Sequence, residues 1–218
     1  MEKITPAFRE SLFDPILSDA VMEITDLSID SILDESNIVK NIPIVSLLVG
    51  FARTAQNIHD RNLLKQTIKF INTFNSNEID KEKLEIHKQK LYSSTKFAEK
   101  ELERVLVILN STIDLKKSEI LANCYAAYIE ERLTWEEFCE YADVTSRLFI
   151  TDINVLLSIY HREIRDTTQC KSYQVDRLVG LGLISITTKS MRISSHNRSN
   201  TEHYVQTSTL GDKYCKIA

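Results

Sequence analysis

The side chains that most often perform catalysis or bind metals are scattered along this sequence. Its five histidines are His59, His87, His161, His196 and His203. No H-E-x-x-H, Glu-x-x-His or His-x-His spacing places two metal ligands on one helical face. The nearest grouping joins His196 to the adjacent pair Glu202 and His203, and a solvated loop explains it better than a metal site. We expect no resident metal.

Cysteines and acidic residues also fail to form a catalytic grouping. The four cysteines, which include no C-x-x-C pair, are Cys124, Cys139, Cys170 and Cys215. Their separation excludes a zinc ribbon and a thioredoxin-type site, so we expect reduced thiols. The densest group of carboxylates is Glu130, Glu131, Glu136, Glu137 and Glu140. A solvated helix surface explains these acids better than acid–base catalysis, which needs an acid in an apolar pocket.

Signatures of nucleotide binding and acyl transfer are absent from the sequence. It contains no G-x-x-x-x-G-K-[ST] loop, no G-x-G-x-x-G and no G-x-S-x-G. Gly180 and Gly182 stand at the end of a predicted helix, whereas a phosphate binds the free N–H groups at a helix start. We therefore expect a protein that is not an enzyme and carries no cofactor.

The composition is that of a helical globular protein. The chain has 218 residues, 43% of them hydrophobic, with 27 Lys+Arg, 31 Asp+Glu and only 4 glycines. These fractions exclude disordered, collagen-like and disulfide-scaffold classes, and the few glycines favour long helices. Residues 1–50 hold nine acids against three bases, and residues 161–218 hold nine bases against five acids. This basic excess is well below that of a committed nucleic-acid binder.

Neither export nor a membrane span is predicted. The first residues, MEKITPAFRESLFD, are charged throughout and lack the apolar stretch of a secretory signal, so we expect a cytoplasmic protein. The longest apolar run, Ile42 to Ala52, is shorter than the roughly 20 residues that cross a bilayer. It fits a core helix, and a membrane-active helical effector is the alternative that this run leaves open.

Helical spacing dominates the first two-thirds of the chain. Helices can begin at each of the three prolines, which are Pro6, Pro15 and Pro43. Apolar residues between Ile16 and Leu33 continue the second of these helices. After Pro43 the pattern predicts one bent helix or two abutting helices as far as Ile71. The polar cluster from Asn72 to Asn77 then predicts a break.

A seam of alternating four- and three-residue spacings follows that cluster. It consists of Leu84, Lys88, Leu91, Thr95, Ala98, Leu102, Val105 and Leu109. Such a seam is typical of a coiled coil, and it predicts either a dimerisation stripe or, more simply, a helical hairpin within one chain. Later helices are predicted over residues 114–132, at Trp135 behind the capping-box pair Thr134 and Glu137, and from Thr151.

The pattern changes at Gly180. Residues 183–188 (LISITT) are rich in β-branched side chains, and a polar loop from Lys189 to His203 separates them from a second short strand, residues 204–208. The stretch VDRLVGLGLI at residues 175–184, followed by TSTLGDKY at residues 207–214, resembles the recognition helix, wing entry and closing helix of winged-helix domains. We therefore predict a mainly α protein, with a multi-helix domain over residues 1–148 and a winged-helix-like α+β module over residues 149–218.

This resemblance implies a recognition surface on the helix before the wing and on the wing itself. In members that bind DNA, that helix enters the major groove and the wing touches the backbone. The contact candidates, all expected to be exposed, are Ser172, Gln174 and Arg177 on the helix and Lys189, Arg192, His196 and Arg198 on the wing. Asp176 would repel phosphate, and residues 162–171 are short and polar where the family has its middle helix. Both features favour a protein partner over DNA.

The N-terminal part suggests a genomic setting. Residues 40–70 resemble uncharacterised bacterial helical proteins, some encoded near prophage or phage-defence genes. We expect a non-enzymatic recognition protein that binds a protein partner or a second copy of itself. A DNA-binding transcriptional regulator is the first alternative. Its DNA binding would weaken steeply with salt.

Overall fold

The computed structural model describes residues 4–13, 42–55, 58–192 and 199–218. Over these residues the chain is mainly helical, with one two-stranded antiparallel sheet near its C-terminal end. The chain divides into two compact units, Met1–Ser146 and Arg147–Ala218. The predicted fold class, a multi-helix part followed by a small α+β module, is confirmed. The helix predicted between Ile16 and Leu33 lies outside the described residues.

The first unit is built from helices alone over its described residues. They are α1 (Ile4–Leu12), α2 (Pro43–Ala55), α3 (Ile58–Ser76), α4 (Lys81–Ser93), α5 (Thr95–Ala98), a π-helical turn (Glu99–Glu103), α6 (Arg104–Ser111), α7 (Leu115–Ile129) and α8 (Trp135–Arg147). As predicted, α2 begins at Pro43. The sequence allowed either one bent helix or two abutting helices after Pro43. The structure has two, α2 and α3.

An aromatic core between α3 and α7 occupies the middle of the first unit. Phe70 and Phe74, one helical turn apart on α3, have nearly parallel rings with centroids 6.4 Å apart. The Tyr125 ring of α7 lies 5.7 Å from that of Phe74 and 5.7 Å from that of Phe138 on α8. All four rings are buried. Burial of each apolar ring stabilises the unit by roughly 1.5–3 kcal/mol.

The break predicted from Asn72 to Asn77 is wrong for most of that segment. Helix α3 continues to Ser76, and the chain leaves the helix at Asn77. Phe74, in the middle of the segment, is buried. Its burial outweighs the weak helix propensity of the neighbouring Asn and Ser residues. The Asn77 side-chain amide donates to the Thr73 carbonyl at 2.8 Å and so helps to end the helix.

The capping box predicted before α8 is confirmed. The Thr134 N–H donates to Glu137 Oε2 at 2.9 Å, and the Glu137 N–H donates to Thr134 Oγ1 at 3.1 Å. These two bonds satisfy donors that have no partner inside the helix. The helix accordingly begins at Trp135, as the sequence predicts.

The seam of the predicted hairpin is buried within one chain but is not one continuous helix. Helix α4 ends at Ser93, and the Ser94 side chain accepts the Phe97 N–H at 3.3 Å to cap α5. Five seam residues are buried in the first unit: Leu91, Ala98, Leu102, Val105 and Leu109. Since these side chains are covered by the chain's own helices, the intramolecular interpretation accounts for the seam.

The second unit combines helices with a hairpin. Its elements are α9 (Ile150–Tyr160), a short 3₁₀ turn (Thr167–Gln169), α10 (Ser172–Gly180), β1 (Ile184–Arg192), β2 (Ser199–Thr207) and α11 (Thr209–Ile217). The strands pair in antiparallel register from Ile184 opposite Thr207 to Arg192 opposite Ser199. They are longer than predicted, because both extend into the segment expected to be a polar loop. Asp166 adds an isolated antiparallel bridge to Tyr204 on the other edge of β2.

Two glycines set the turn between α10 and β1 and its contact with the last helix. Gly182 has φ +71°, a left-handed conformation that glycine adopts without strain. A Cβ on Gly211 would stand 2.0 Å from the Leu183 carbonyl oxygen, so no side chain fits there. The Leu183 carbonyl also accepts the Ser208 N–H at 2.9 Å. The start of α11 is therefore fixed directly against the turn that leads into β1.

Candidate recognition surface

Asp152 joins the start of α9 to the middle of α10. Its carboxylate is 0% exposed. The Oδ2 atom accepts the Phe149 N–H at 2.9 Å, which caps α9, and an Arg177 Nη1–H at 2.5 Å. Its Oδ1 atom has no hydrogen-bond partner among the described residues. Because one oxygen serves both bonds, the helix start and the position of the guanidinium depend on the same buried group.

The Arg177 guanidinium also lies against two exposed aromatic rings. It stands 4.5 Å from the Phe149 ring centroid and 5.9 Å from that of Tyr173, both distances suited to cation–π attraction. Phe149 is 60% exposed and Tyr173 is 52% exposed, and Val179 on α10 is also exposed. We call the exposed side chains of Phe149, Tyr173, Asp176 and Val179, together with Arg177, the α10 surface.

The charge of the α10 surface is close to balanced. Arg177 is neutralised by Asp152. Asp176 is exposed and negative, and Lys171, just before α10, is exposed and positive. The Lys171 ammonium lies 5.9 Å from the Tyr173 ring centroid. This arrangement presents aromatic and aliphatic area with one charge of each sign, and it lacks the dense positive charge that polyanions require.

The predicted contact residues on α10 have different environments. Ser172 is exposed in the first turn, as expected. The expectation that Gln174 is exposed is wrong, since Gln174 is 6% exposed. It lies beside Val175 and one turn before Leu178, both buried, on the side of α10 that packs into the unit. Arg177, expected to be exposed, is partly buried and paired with Asp152.

Only some of the predicted wing residues are among the residues that the structure describes. Lys189 and Arg192 lie on β1, opposite Glu202 and Ser199 of β2. His196 and Arg198 lie outside the described residues. The structure therefore brings Ser172, Gln174 and Arg177 onto one helix, and places Lys189 and Arg192 on the hairpin.

Sequence reasoning missed the two residues that organise the α10 surface, Asp152 and Phe149. A signal was present, because an acidic residue three positions after a helix-capping position commonly accepts the cap N–H. The helix start was predicted at Thr151, one residue after the observed start at Ile150. Because α9 begins at Ile150, Asp152 is the third residue of the helix. There its carboxylate accepts the Phe149 N–H and is buried.

A second buried carboxylate, also missed, lies in the first unit. Glu101, in the π-helical turn, is 1% exposed. The Tyr128 hydroxyl donates to its Oε1 at 2.6 Å and the Tyr125 hydroxyl donates to its Oε2 at 3.2 Å. His87 Nε2 lies 3.1 Å from that same Oε2 and 3.2 Å from the Tyr125 hydroxyl. Glu101 follows the seam residue Ala98 by three positions, so helical spacing places both on the same side of the chain. That spacing was the available signal for the burial of Glu101.

The phenols of this cluster are held in their protonated form. Burial raises the pKa of Tyr125 well above its ordinary value, and the charge and hydrogen bond of Glu101 raise it further. Burial and the same two effects of Glu101 also raise the pKa of Tyr128. Both hydroxyls are therefore permanent donors to Glu101 near neutral pH. The cluster connects α4, the π-helical turn and α7 through His87, Glu101 and the two phenols.

The four cysteines are free and unactivated. Burial raises the pKa of Cys124 and of Cys215 to about 12. Burial also raises the pKa of Cys139 and of Cys170. A nucleophilic or metal-binding cysteine needs a lowered pKa, so none of these thiols is prepared for such chemistry. Among the described residues, no group of three histidine, cysteine, aspartate or glutamate side chains is placed to hold a metal ion.

Comparison with known proteins adds no relative to these observations. No family model, curated protein or solved structure matches the chain. In the part of the chain that the structure describes, no helix has both the length and the apolar character needed to cross a membrane. The α10 surface and the buried clusters are thus the features from which a function can be argued.

Proposed function

We propose that this chain is a non-enzymatic recognition protein whose second unit binds a protein partner through the α10 surface. The observation that carries the proposal is the ion pair of Arg177 with buried Asp152. Because that pair occupies the cation of α10, the largest side chains left exposed around it are the rings of Phe149 and Tyr173. Aromatic residues together with arginine are the groups enriched at the centres of protein interfaces.

The order of elements in the second unit supports a winged-helix-like interpretation of this surface. Helix α9, the bridge residue Asp166, helix α10, the β1–β2 hairpin and helix α11 follow in sequence. In such an arrangement α10 is the recognition helix and the hairpin is the wing. Since a fold does not decide a function, the choice of partner rests on the side chains that α10 presents.

A DNA-binding regulator is the second candidate, favoured by Lys189 and Arg192 on β1. Two observations count against it. Gln174 is buried and Arg177 is paired, so neither is available to hydrogen-bond a base edge. Asp176 is exposed on the same helix. The formal net charge of the chain, −4, also opposes long-range attraction of a polyanion.

Site-specific photo-crosslinking distinguishes the two candidates. A photoreactive phenylalanine replaces Tyr173 in the full chain, which is expressed in its cell of origin, irradiated and treated with nuclease. We expect a discrete, nuclease-resistant product that contains a second protein. The matched control places the same group at Tyr92, an exposed tyrosine of α4 in the first unit.

The same experiment identifies the outcomes that would contradict the proposal. The product from position 173 should disappear when Phe149 is replaced by Ser, while the far-ultraviolet circular dichroism of the variant stays unchanged. A product removed by nuclease, or equal products from positions 173 and 92, contradicts a protein-binding α10 surface. Binding of the purified chain to duplex DNA that weakens steeply with salt would support the regulator instead.

A further inference from the structure

A basic groove crosses the second unit on a side that shares no residue with the α10 surface. It has a volume of about 1020 Å³ and lies between the end of α9, the turn that follows it, the end of β2, and α11. Three cationic side chains line it: Arg162, Arg165 and Lys216. The acidic lining residue, Asp212, accepts a hydrogen bond from the Thr207 hydroxyl. Positive charge therefore exceeds negative charge in the groove.

Arg162 occupies a position that glycine would fill more easily. Its φ is +63°, at the C-terminal end of α9. The Arg162 N–H donates to the Ile159 carbonyl at 3.0 Å, and the Glu163 N–H donates to the Ser158 carbonyl at 2.9 Å, the bonds that close a helix with a left-handed residue. A non-glycine residue there is strained by about 1 kcal/mol. The chain thus keeps a cation at the mouth of the groove where stability alone favours glycine.

Arg165 is fixed at the edge of β2. Its carbonyl accepts the Val205 N–H at 2.9 Å, and its own Nε–H donates to the Arg162 carbonyl at 3.1 Å. For Arg162 and Lys216, no side-chain partner occurs within the described ranges. Lys216 is exposed in the last turn of α11. Two of the three charges in the groove are therefore uncompensated.

The edge of β2 that pairs with Arg165 and Asp166 at Val205 and Tyr204 continues beyond them to Thr207. Since the Val205 N–H points away from β1, toward Arg165, the Thr207 N–H and carbonyl two residues later point the same way. Glu163, which would stand opposite Thr207, is turned away because its N–H closes the end of α9. The Ser208 N–H points to the other side and is bonded to the Leu183 carbonyl. A further backbone segment can therefore pair with β2 at Thr207.

We propose that this groove binds an acidic peptide segment in an extended conformation. The peptide backbone pairs with Thr207 at the edge of β2, and its carboxylates pair with Arg162, Arg165 and Lys216. Strand addition to an open sheet edge is a common mode of peptide binding. Charge complementarity selects an acidic sequence, and the buried Ile159 and Val205 give the groove an apolar floor.

A nucleic acid fits this groove less well. Three cations are fewer than the phosphate contacts of a typical nucleic-acid complex, roughly six to ten. The Thr207 N–H and carbonyl offer one donor and one acceptor. A peptide backbone satisfies both, whereas a phosphate oxygen accepts from the N–H but cannot donate to the carbonyl. The net charge of −4 also repels a long polyanion more strongly than a short peptide.

The test uses the full chain and an array of peptides about ten residues long, the upper end of common strand lengths. The peptides alternate valine with either glutamate or glutamine, so that only the number of glutamates changes. We expect binding to rise with the number of glutamates. The double variant Arg162→Gln with Lys216→Gln should bind the most acidic peptide about tenfold more weakly, as expected for the loss of two partly exposed ion pairs.

Two controls make the test specific. The double variant Lys65→Gln with Lys90→Gln removes the same charge from exposed sites outside the groove and should bind normally. In amide hydrogen exchange, the Thr207 N–H should become protected when the most acidic peptide binds. The Ser208 N–H, already bonded to Leu183, should change little.

Several results would overturn the groove proposal. They are binding that does not depend on glutamate number, equal weakening by both double variants, no added protection at Thr207, and tighter binding of an oligonucleotide of equal charge. The photo-crosslink at position 173 is measured on other residues, so it can fail or succeed independently of this result.

Discussion

The two units each bury one carboxylate, and they use it differently. In the first unit Glu101 accepts the hydroxyls of Tyr125 and Tyr128, and all of these groups belong to the interior or its margin. In the second unit Asp152 holds Arg177, whose guanidinium reaches the exposed rings of the α10 surface. A buried acid therefore completes a core in one unit and organises an outer surface in the other.

Removal of the Glu101 carboxylate should have the largest effect. In Glu101→Ala, two buried or half-buried phenols and His87 lose their common acceptor. Each buried donor left without an acceptor typically costs about 1–3 kcal/mol, so the two phenols together cost about 2–6 kcal/mol. We expect a loss of that size in the free energy of unfolding, measured by urea denaturation.

The control for this prediction is Glu99→Ala, which removes an exposed carboxylate from the same π-helical turn. Its effect should be within about 0.5 kcal/mol of zero, as for most surface substitutions. Equal effects of the two substitutions would mean that the cluster around Glu101 contributes little. The isosteric Glu101→Gln should fall between them, because it keeps one acceptor oxygen.

The Asp152→Ala variant should be less destabilised but should lose the α10 surface. It removes the cap of α9, worth about 1 kcal/mol, and a charged hydrogen bond worth about 1.5 kcal/mol, so we expect a total near 2–3 kcal/mol. Hydrogen exchange should increase at the start of α9. The photo-crosslink at position 173 should weaken, since Arg177 no longer has a fixed position.

Asp176→Ala is the matched control in the second unit, because Asp176 is exposed on α10. Its unfolding free energy should stay within about 0.5 kcal/mol of the original. If Asp152→Ala destabilised the protein but left the crosslink unchanged, the buried acid would be a structural group only, and the contrast between the two units would disappear.

Unfolding measured at alkaline pH should reveal the raised pKa of Tyr128 in the cluster around Glu101. Burial and Glu101 raise the pKa of Tyr128 above its ordinary value of 10.0. Above pH 10 the unfolded chain loses this proton and the native chain keeps it, so stability falls as pH rises. Tyr128→Phe should cost about 1 kcal/mol at neutral pH and reduce the fall between pH 10 and 11. An unchanged slope in denaturation at these pH values would contradict the role of Tyr128.

A smaller expected change in stability is a gain and not a loss. Arg162→Gly relieves the strain of a left-handed non-glycine residue and should stabilise the chain by up to about 1 kcal/mol. The same substitution should weaken binding of the acidic peptide. Thermal unfolding and the peptide assay, performed on one preparation, check both effects.

Glu131 provides the matched position in the first unit. It too is left-handed, with φ +62°, but its carboxylate lies 3.1 Å from the Lys83 ammonium. Glu131→Gly should stabilise less, because an exposed ion pair worth up to about 1 kcal/mol is lost together with the strain. Equal stabilisation by the two glycines would show that the Lys83 pair contributes nothing.

The elements of the fold follow from the sequence where local chemistry and burial agree. The start of α8 could be predicted because Thr134 and Glu137 satisfy each other's N–H groups over three residues. The end of α3 could not, because local preferences of Asn and Ser opposed the burial of Phe74. Burial depends on Tyr125, about fifty residues away, so no short window of sequence contains it.

The candidate site was less accessible to sequence reasoning than the fold. A recognition helix over residues 172–180 was predicted, and Ser172 is exposed as expected. Contacts with residues outside α10 determine which side of this helix faces the core. That orientation buries Gln174. The pairing of Arg177 with Asp152 spans 25 positions, and two opposite charges at that separation occur in many places along the chain.

Because Asp152 already pairs with Arg177, the α10 surface and the groove should respond differently to anionic ligands. A carboxylate offered to Arg177 from outside would compete with Asp152 and leave a negative charge sealed in the interior without a counter-ion, which is strongly unfavourable. We therefore expect acidic ligands to avoid the α10 surface and to prefer the groove at Arg162 and Lys216. Together the two proposals give this small unit two binding surfaces that prefer ligands of different charge.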